Sequence, residues 1–268
     1  MLKFSANLTW MFDDRPFLER FGAASAAGFS GVEFLHPLDW PLEELRRRIT
    51  QYNLQVTLMN IAPGDWSRGD RGLACVPDRV DEFRRGVAET LDYADALDCP
   101  RLHCVAGVMP RKVPVREVEA CYIHNILFAA DACANAGVEL FIEPINRIDI
   151  PGYFLDSFEK TMTLMNIMAA RGGAQPRLQF DVYHCAIIHG DVAEWIERCG
   201  DRIGYYQIAG VPDRHEPDIG LLPLDEVFAA ITALDVDTWI GCEYRPKTDS
   251  FEGLGWIKHV QGKFGADG

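Results

Sequence analysis

The feature that most constrains the fold of this chain is an eightfold alternation of short apolar runs with longer amphipathic ones. The repeat is about thirty residues long, and the apolar runs are rich in Val, Ile, Phe and Tyr, as expected of strands buried on both faces. The predicted strands cover residues 3–7, 31–35, 55–60, 101–106, 138–143, 177–182, 203–208 and 238–243. The predicted helices cover residues 16–27, 41–52, 78–97, 116–136, 157–170, 192–199, 224–234 and 252–264.

This alternation implies a parallel sheet with helical crossovers. Eight such units in 268 residues favour a closed (β/α)8 barrel of the TIM type, in a single domain over residues 1–268. An open doubly wound sheet would more often carry a glycine-rich phosphate loop after its first strand, and Asn7-Leu8-Thr9-Trp10 contains no glycine. The longest irregular stretch, residues 61–77, follows the third predicted strand, and a loop of this length is usually functional.

Composition narrows the class of partner. The formal net charge of -14 argues against a nucleic-acid-binding surface, which needs clustered Lys and Arg. The eight cysteines include no Cys-x-x-Cys pair, so neither a zinc site nor a disulfide framework is expected. The amino terminus lacks the apolar core of a signal peptide, and no apolar run is long enough to span a membrane. We therefore expect a cytoplasmic protein with a small-molecule substrate, either as a monomer or as a homo-oligomer.

Polar residues stand at the carboxyl ends of the last four predicted strands. These residues are Glu143, Asp181, Gln207 and Glu243. In a parallel barrel the carboxyl ends of all strands face one mouth, so the four side chains are expected to converge there. Any one of them could be an ordinary strand-end residue that caps a loop, but four at matching positions favour a shared site.

Three carboxylates in one place repel each other, and burying them without compensation costs several kcal/mol. A bound cation removes that penalty. Two Glu, one Asp and one Gln amide offer only oxygen ligands, which suit a hard ion. The sequence therefore predicts one divalent metal ion, Mg²⁺ or Mn²⁺, held by Glu143, Asp181, Gln207 and Glu243.

A series of motifs runs through nearly the whole chain. They are Phe4-Ser5-Ala6-Asn7-Leu8, Gly31-Val32-Glu33-Phe34, Gly64-Asp65-Trp66 with Arg71-Gly72, Ile142-Glu143-Pro144-Ile145-Asn146 with Asp149-Ile150-Pro151-Gly152, Asp181-Val182-Tyr183-His184, Gln207-Ile208-Ala209, Arg214-His215-Glu216-Pro217 and Gly241-Cys242-Glu243-Tyr244. In this order they resemble the hydroxypyruvate isomerase family, within the xylose-isomerase-like barrel superfamily that also contains the ketose 3-epimerases. One departure is Leu221-Leu222-Pro223-Leu224, where the family usually has an acidic residue followed by Ile-Asn-Tyr.

The resemblance implies a metal-dependent isomerase that interconverts hydroxypyruvate and tartronate semialdehyde. It also implies that Glu143 and Glu243 are the catalytic base and acid, without deciding which removes the first proton. A divalent ion would stabilise the enediolate as a Lewis acid, and a carboxylate that moves the proton contributes roughly 10²–10⁴ in rate. The hydride-shift mechanism of xylose isomerases goes with a two-metal site that has further His and Asp ligands. This sequence shows one set of ligands, which favours proton transfer.

Four further residues are candidates for substrate binding: His184, Arg214, Arg71 and Asp149. His184 could hydrogen-bond a substrate oxygen, and Arg71 could bind a carboxylate through two parallel hydrogen bonds. Arg214 could stabilise developing negative charge or the substrate carboxylate. Asp149 matches an acidic residue that contacts a substrate hydroxyl in the epimerases. Each assignment has an alternative. His184 could be a structural histidine, Arg214 could be a solvated loop arginine, and Asp149 could pair with Arg147 instead of a substrate.

Other polar residues are interpreted as structural. Glu33, within the second predicted strand, is expected to be a hydrogen-bonding residue of the barrel interior. Trp66 could close a lid, or it could equally pack against its own loop. Four histidines show no ligand spacing, namely His36, His103, His124 and His189.

Several other functions compete with this interpretation. A 2-oxo-tetronate isomerase or a ketose 3-epimerase would share the metal and the two carboxylates and differ in the loops that bind the rest of the substrate. A hydrolase resembling endonuclease IV would need a His-rich cluster of several metals and a basic face, which the charge disfavours. A non-enzymatic metal-binding barrel would be excluded by turnover of hydroxypyruvate.

Overall fold

The computed structural model of the chain describes residues 2–265. Its eight strands form one closed barrel in sequence order, which confirms the predicted fold class. The strands are β1 (Lys3–Asn7), β2 (Gly31–Phe34), β3 (Gln55–Asn60), β4 (Arg101–His103), β5 (Glu139–Ile142), β6 (Arg177–Asp181), β7 (Ile203–Ile208) and β8 (Trp239–Cys242). The paired strands are parallel, as helical crossovers require.

Nine α-helices connect the strands within the described part of the chain, one more than predicted. They are α1 (Phe17–Ala26), α2 (Leu42–Tyr52), α3 (Val80–Ala96), α4 (Val115–Asn135), α5 (Phe158–Ala169), α6 (Val182–Ile188), α7 (Val192–Cys199), α8 (Leu224–Ala233) and α9 (Gly255–Phe264). No helix of residues 2–265 is both long enough and apolar enough to cross a membrane.

The additional helix is α6, and it corrects the predicted strand 177–182. Asp181 ends β6, and its side chain accepts a hydrogen bond from the backbone N–H of Tyr183, so a helix begins one residue later. The run Val182-Tyr183-His184-Cys185 is uniformly buried. Periodicity alone cannot distinguish a short buried helix from a strand that continues.

Contacts divide the chain into two compact units. The first comprises the described residues of Met1–Phe34, Glu44–Thr57 and Gln179–Gly268, and the second comprises Leu35–Glu43 and Leu58–Leu178. A single domain over 1–268 remains a prediction, and Met1 and residues 266–268 lie outside the described residues.

In the first unit, β1 pairs with both β2 and β8, and β7 pairs with β8. The interior of this unit is partly polar, because the hydroxyls of Ser5, Thr57 and Tyr205 form a chain with distances of 2.6 and 2.9 Å. An aromatic contact joins β1 to α9, in which Phe4 meets Trp256 edge to face at 5.2 Å.

In the second unit, β4 pairs with β3 and β5, and α3 packs against α4. The irregular segment after β3 is closely fitted to the segment after β4. Gly72 has a φ of 99°, and a Cβ there would lie 2.0 Å from the carbonyl oxygen of Val105. Only glycine meets both requirements, so this residue fixes where the long loop returns.

Candidate active site

Asp181 is placed by the junction of β6 and α6. One carboxylate oxygen caps α6 through the Tyr183 N–H at 2.8 Å. The other oxygen lies 3.6 Å from Nε2 of His184 and 3.4 Å from a guanidinium nitrogen of Arg214. The side chain is buried. One of its oxygens therefore holds the start of α6, and the other faces His184 and Arg214.

Glu243 follows β8 directly and is also buried. Its two carboxylate oxygens are held separately, because Nε1 of Trp10 donates to one at 3.1 Å and Nη2 of Arg214 lies 3.1 Å from the other. Burial raises the pKa of Glu243 to about 8; the Arg214 guanidinium opposes the shift and the Asp181 carboxylate adds to it. This carboxyl group can therefore change protonation state near neutral pH.

Arg214 joins these two carboxylates. Its backbone has a φ of 57°, and its guanidinium carbon lies 4.9 Å from the ring centroid of Trp10 and 4.8 Å from that of Tyr183. The side chain is largely buried, so the charge is partly desolvated and interacts strongly with both carboxylates. Arg214 thus lies beside two of the predicted metal ligands, Asp181 and Glu243. A negatively charged substrate bound there would require a nearby positive charge.

Gln207 is the penultimate residue of β7 and lies alongside Gly241 of β8. Its amide nitrogen donates to Glu33 at 2.8 Å, and its amide oxygen accepts from Nε2 of Gln179 at 2.6 Å. A carbonyl oxygen has two lone pairs, so one acceptor site of Gln207 remains for a cation. Its role as a metal ligand stays a prediction.

Glu33 is fully buried, as the sequence predicts for an interior hydrogen-bonding residue. It accepts hydrogen bonds from Asn7, Gln207 and Tyr205. Burial raises the pKa of Glu33 to about 7, against the opposing effect of these three hydrogen bonds. Gly241 makes room for the carboxylate, since a Cβ there would lie 2.4 Å from it.

In the second unit, Glu143 follows β5 directly and is buried. Nε2 of His103, the last residue of β4, lies 3.5 Å from Oε2 of Glu143. Burial lowers the pKa of His103 to about 3, so this His is neutral and the contact is not an ion pair at neutral pH. Nδ1 of His103 lies 3.1 Å from the amide oxygen of Asn60, and this contact orients the imidazole ring beside Glu143.

Arg71 lies within its own loop. Its guanidinium lies 4.0 Å from the ring centroid of Trp66 and donates to the carbonyl oxygens of Trp66 and Asp70. His36 contacts the same indole edge to face at 5.2 Å. Trp66 is therefore packed against its loop, as one of the two sequence interpretations expects.

Asp149 is exposed, in a turn closed by Asn146, whose side-chain oxygen accepts the backbone N–H groups of Ile148 and Asp149. Arg147 pairs with Asp156, with an Nε–Oδ2 distance of 2.8 Å. Substrate contacts of Asp149 and Arg71 stay predictions.

Asp181 and His184 of the first unit are buried side chains of the type that bind metal ions, and Glu143 of the second unit is a buried carboxylate of the same type. Their carboxylate oxygens fit a hard divalent cation, and an imidazole nitrogen is a common further ligand. His184 was expected to contact substrate, so its ligand chemistry adds a second possible role.

Residues 21–260 match the family model described as xylose isomerase-like TIM barrel. The chain belongs to this family. Among its curated relatives, a 2-oxo-tetronate isomerase from Cupriavidus necator is 44% identical, with 98% of this chain and 100% of the relative covered. A hydroxypyruvate isomerase from Escherichia coli is 38% identical, with 96% and 98% covered. This member of the xylose isomerase-like family is therefore an isomerase.

Solved structures agree on the fold of this family member. A crystal structure from Brucella melitensis, described as an AP endonuclease of family 2, is 39% identical, with a TM-score of 0.92 and 97% and 99% of the two chains covered. A D-psicose 3-epimerase from Clostridium cellulolyticum has a TM-score of 0.77 at 14% identity, with 95% and 90% covered, which shows the fold alone.

Trp10 and His103 touch candidate catalytic carboxylates, although the sequence assigned no role to Trp10 and His103 was interpreted as structural. Trp10 follows β1 closely, and His103 ends β4, so both occupy the strand-end positions that identified Glu143 and Glu243. His103 was interpreted as structural because it shows no ligand spacing and because the predicted fourth strand extended to residue 106, so its place at the strand end was not recognised. An indole and a neutral imidazole also carry no charge to mark them among apolar residues.

Proposed function

We propose that the chain interconverts hydroxypyruvate and tartronate semialdehyde (2-hydroxy-3-oxopropanoate) by proton transfer between neighbouring carbons. The observation that carries the proposal is the buried Glu243 carboxylate directly after β8, with one oxygen held by Trp10 and the other by Arg214. A carboxylate fixed in this way can accept a proton from one carbon and return it to the next. General acid–base catalysis of this kind contributes roughly 10²–10⁴ in rate.

We further propose that Glu143, Asp181, Gln207 and Glu243 hold one Mg²⁺ or Mn²⁺ ion. These residues end or follow β5, end β6, lie near the end of β7 and follow β8, which are consecutive strands of the closed barrel. Their oxygen donors and their burial support a hard divalent cation, which would offset the repulsion between carboxylates. When bound, the ion would act as a Lewis acid toward the substrate oxygens.

In the proposed reaction, a carboxylate removes a proton from C3 of hydroxypyruvate. The electron pair of that C–H bond forms the C2–C3 double bond while the π pair of the C2 carbonyl moves onto the C2 oxygen, and a proton is then delivered to C2. The C3 oxygen becomes the aldehyde as the hydroxyl proton passes to the C2 oxygen. Glu143 and Glu243 are the proposed proton carriers, and Trp10 fixes the position of Glu243 through its indole N–H.

The substrate has one negative charge, which a chain of net charge -14 must offset locally. Arg214 is proposed to supply positive charge beside Asp181 and Glu243, and His184 to hydrogen-bond a substrate oxygen. Arg71 and Asp149 remain proposed substrate contacts on the sequence resemblance alone.

A second candidate substrate is 2-oxo-tetronate, and one observation favours it. The 44% identical relative from Cupriavidus necator is a 2-oxo-tetronate isomerase. The chemistry at C2 and C3 would be the same, and the additional carbon would extend toward the loops. DNA hydrolysis is disfavoured, because the net charge of -14 opposes the approach of a phosphate backbone.

The experiment that tests this function is an isomerisation assay on hydroxypyruvate, 2-oxo-tetronate and an uncharged ketose. Protein is assayed after treatment with a chelator and again after addition of Mg²⁺ or Mn²⁺. We expect chelation to abolish activity, either metal to restore it, and a 2-oxo acid to give the highest kcat/KM. Full activity in chelator would refute the metal site, and preference for the ketose would replace the isomerase with an epimerase.

A further inference from the structure

Arg245 lies two residues after Glu243 and beside Arg214. Its backbone N–H donates to the carbonyl oxygen of Arg214 at 2.9 Å, and its own carbonyl oxygen lies 2.8 Å from Nδ1 of His215. Its guanidinium carbon lies 4.6 Å from the ring centroid of Trp10, the same indole that contacts Arg214 at 4.9 Å. The backbone therefore places two guanidinium groups against one aromatic ring.

The two guanidinium groups differ in what they bind. Arg214 lies within 3.4 Å of the carboxylates of Asp181 and Glu243 and is largely buried. The Arg245 side chain is exposed, and among residues 2–265 it makes no hydrogen bond or ion pair. Arg245 is thus a positive charge held at the site by stacking, with its N–H groups free for a ligand.

Arg214 is poorly suited to be the sole partner of a substrate carboxylate. Its guanidinium already contacts two buried carboxylates, and drawing it toward a substrate would break both contacts. A second guanidinium avoids that penalty. Stacking on Trp10 also orders the Arg245 side chain before a ligand arrives, so less conformational entropy is lost on binding.

We propose that Arg245, held by Trp10, binds the carboxylate of the substrate and so makes this enzyme selective for 2-oxo acids over neutral ketoses. The inference rests on the proposed function and adds the residue that recognises the acid group. A guanidinium matches a carboxylate through two parallel hydrogen bonds. Arg214 then serves to neutralise Asp181 and Glu243.

Lys247 provides a matched control, because it lies two residues further along the same segment. Its backbone N–H donates to the Glu216 carboxylate at 3.2 Å, and its side chain is not stacked on Trp10. Lys247→Gln removes the same unit of charge as Arg245→Gln from this acidic chain. It therefore reports the general electrostatic effect without the proposed contact.

The test measures kcat and KM for the preferred 2-oxo acid, together with competitive inhibition by pyruvate, whose carboxylate needs no reaction to bind. Arg245→Gln should raise KM and the inhibition constant of pyruvate by about tenfold or more, because a charge-assisted hydrogen bond is lost. kcat should stay within about threefold, as expected when binding is weakened equally in ground and transition states. Arg245→Lys should recover part of the affinity, and Lys247→Gln should resemble the native enzyme.

Two outcomes would overturn the proposal. One is a pyruvate inhibition constant in Arg245→Gln equal to the native value. The other is an equal loss in Arg245→Gln and Lys247→Gln, which would assign the effect to net charge. Failure of the native enzyme to isomerise any 2-oxo acid would instead refute the proposed function, so the two failures are distinguishable.

Discussion

The loops after β3 and β7 each contain an arginine that the sequence predicts for the substrate carboxylate, and they use it differently. Arg71, after β3, lies on Trp66 and donates to two backbone carbonyl oxygens. Arg214, after β7, lies between Trp10 and Tyr183 and faces two buried carboxylates. Both guanidinium groups lie against aromatic rings, so the two arginines differ in the acceptors of their N–H groups. Backbone acceptors indicate that Arg71 stabilises its loop, and carboxylate acceptors indicate that Arg214 belongs to the candidate active site.

The loop after β3 is closed by its own polar contacts. Asp65 accepts the backbone N–H groups of Ser67 and Arg68, and Asp70 pairs with Arg79 at 2.6 Å. Arg71 stabilises the same loop through its hydrogen bonds to the carbonyl oxygens of Trp66 and Asp70. We therefore expect Arg71 to contribute to loop order more than to chemistry, and the reverse for Arg214.

The largest expected effect is that of Glu243→Gln. The amide keeps an oxygen ligand but cannot accept a proton, so kcat should fall by roughly 10²–10⁴. Steady-state kinetics on the preferred 2-oxo acid, together with calorimetric titration of Mn²⁺, separate lost catalysis from lost metal binding. Glu252→Gln, an exposed carboxylate of the last 3-10 turn, serves as the control and should retain native kcat. A Glu243→Gln enzyme with native kcat would remove this residue from the mechanism.

Arg214→Ala should have the next largest effect. It leaves Asp181 and Glu243 without their shared counter-charge, and a charge-assisted hydrogen bond contributes about 1.5–3 kcal/mol. kcat/KM should therefore fall about ten- to a hundredfold. The pKa of Glu243 should also rise above about 8, since the guanidinium opposes its upward shift, and a pH titration of the metal-free protein followed by NMR would show this. Arg214→Lys keeps the charge and should lose less; native kinetics in both variants would contradict the role.

Arg71→Ala should lower kcat/KM less than Arg214→Ala does. Its main expected effect is a change in Trp66 fluorescence, because the indole loses the guanidinium stacked on it. Trp66→Phe identifies the contribution of that indole to the emission spectrum. If Arg71→Ala matches Arg214→Ala in lost kcat/KM and leaves Trp66 emission unchanged, then Arg71 binds the carboxylate, as the sequence alone predicts.

The smallest expected effect concerns stability at Glu33. Burial raises its pKa from 4.5 to about 7, so between these values the folded state holds a proton that the unfolded state has lost. Stability should therefore fall as pH rises through this window, by about 3–4 kcal/mol in total, since one pKa unit corresponds to about 1.4 kcal/mol. Relative to the native protein, Glu33→Gln should gain stability from pH 5 to pH 8 in urea unfolding with chelator present. If the difference in unfolding free energy between Glu33→Gln and the native protein is the same at pH 5 and pH 8, then Glu33 does not hold a proton in the folded state.

Tyr205→Phe provides the matched comparison for Glu33. The Tyr205 hydroxyl donates to the Glu33 carboxylate and lowers its pKa, so its removal should extend the loss of stability to higher pH. A loss that ends at the same or a lower pH would show that this hydrogen bond does not stabilise the charged form.

Much of this molecule could be predicted from the sequence, because the barrel depends on periodicity and on charge. All eight strands were located, and Glu143, Asp181 and Glu243 lie at strand ends as predicted, because carboxylates are conspicuous at the ends of apolar runs. Their role in the site stays a prediction. Helix α6 was not predicted, because its burial is uniform and its start depends on one side-chain cap, Asp181.

Contacts between side chains of distant residues could not be predicted in the same way. The bond from Trp10 to Glu243 spans 233 residues, and no local pattern indicates it. The orientation of Arg245 depends on the Trp10 ring and on a backbone bond to Arg214, both of which require the folded barrel. Sequence identified the groups that carry charge, and the structure was needed to show which of them are already paired.

The central claim is that Glu143 and Glu243 move a proton between neighbouring carbons, and isomerisation in D₂O tests it most directly. The native enzyme converts hydroxypyruvate in the presence of Mg²⁺, and ¹H NMR follows the hydrogens of substrate and product. A proton carried by a carboxylate can exchange with solvent, so we predict deuterium at C2 of the product and loss of this incorporation in Glu243→Gln. Complete retention of the substrate hydrogen, with no solvent deuterium at any pH, would contradict proton transfer and favour a hydride shift.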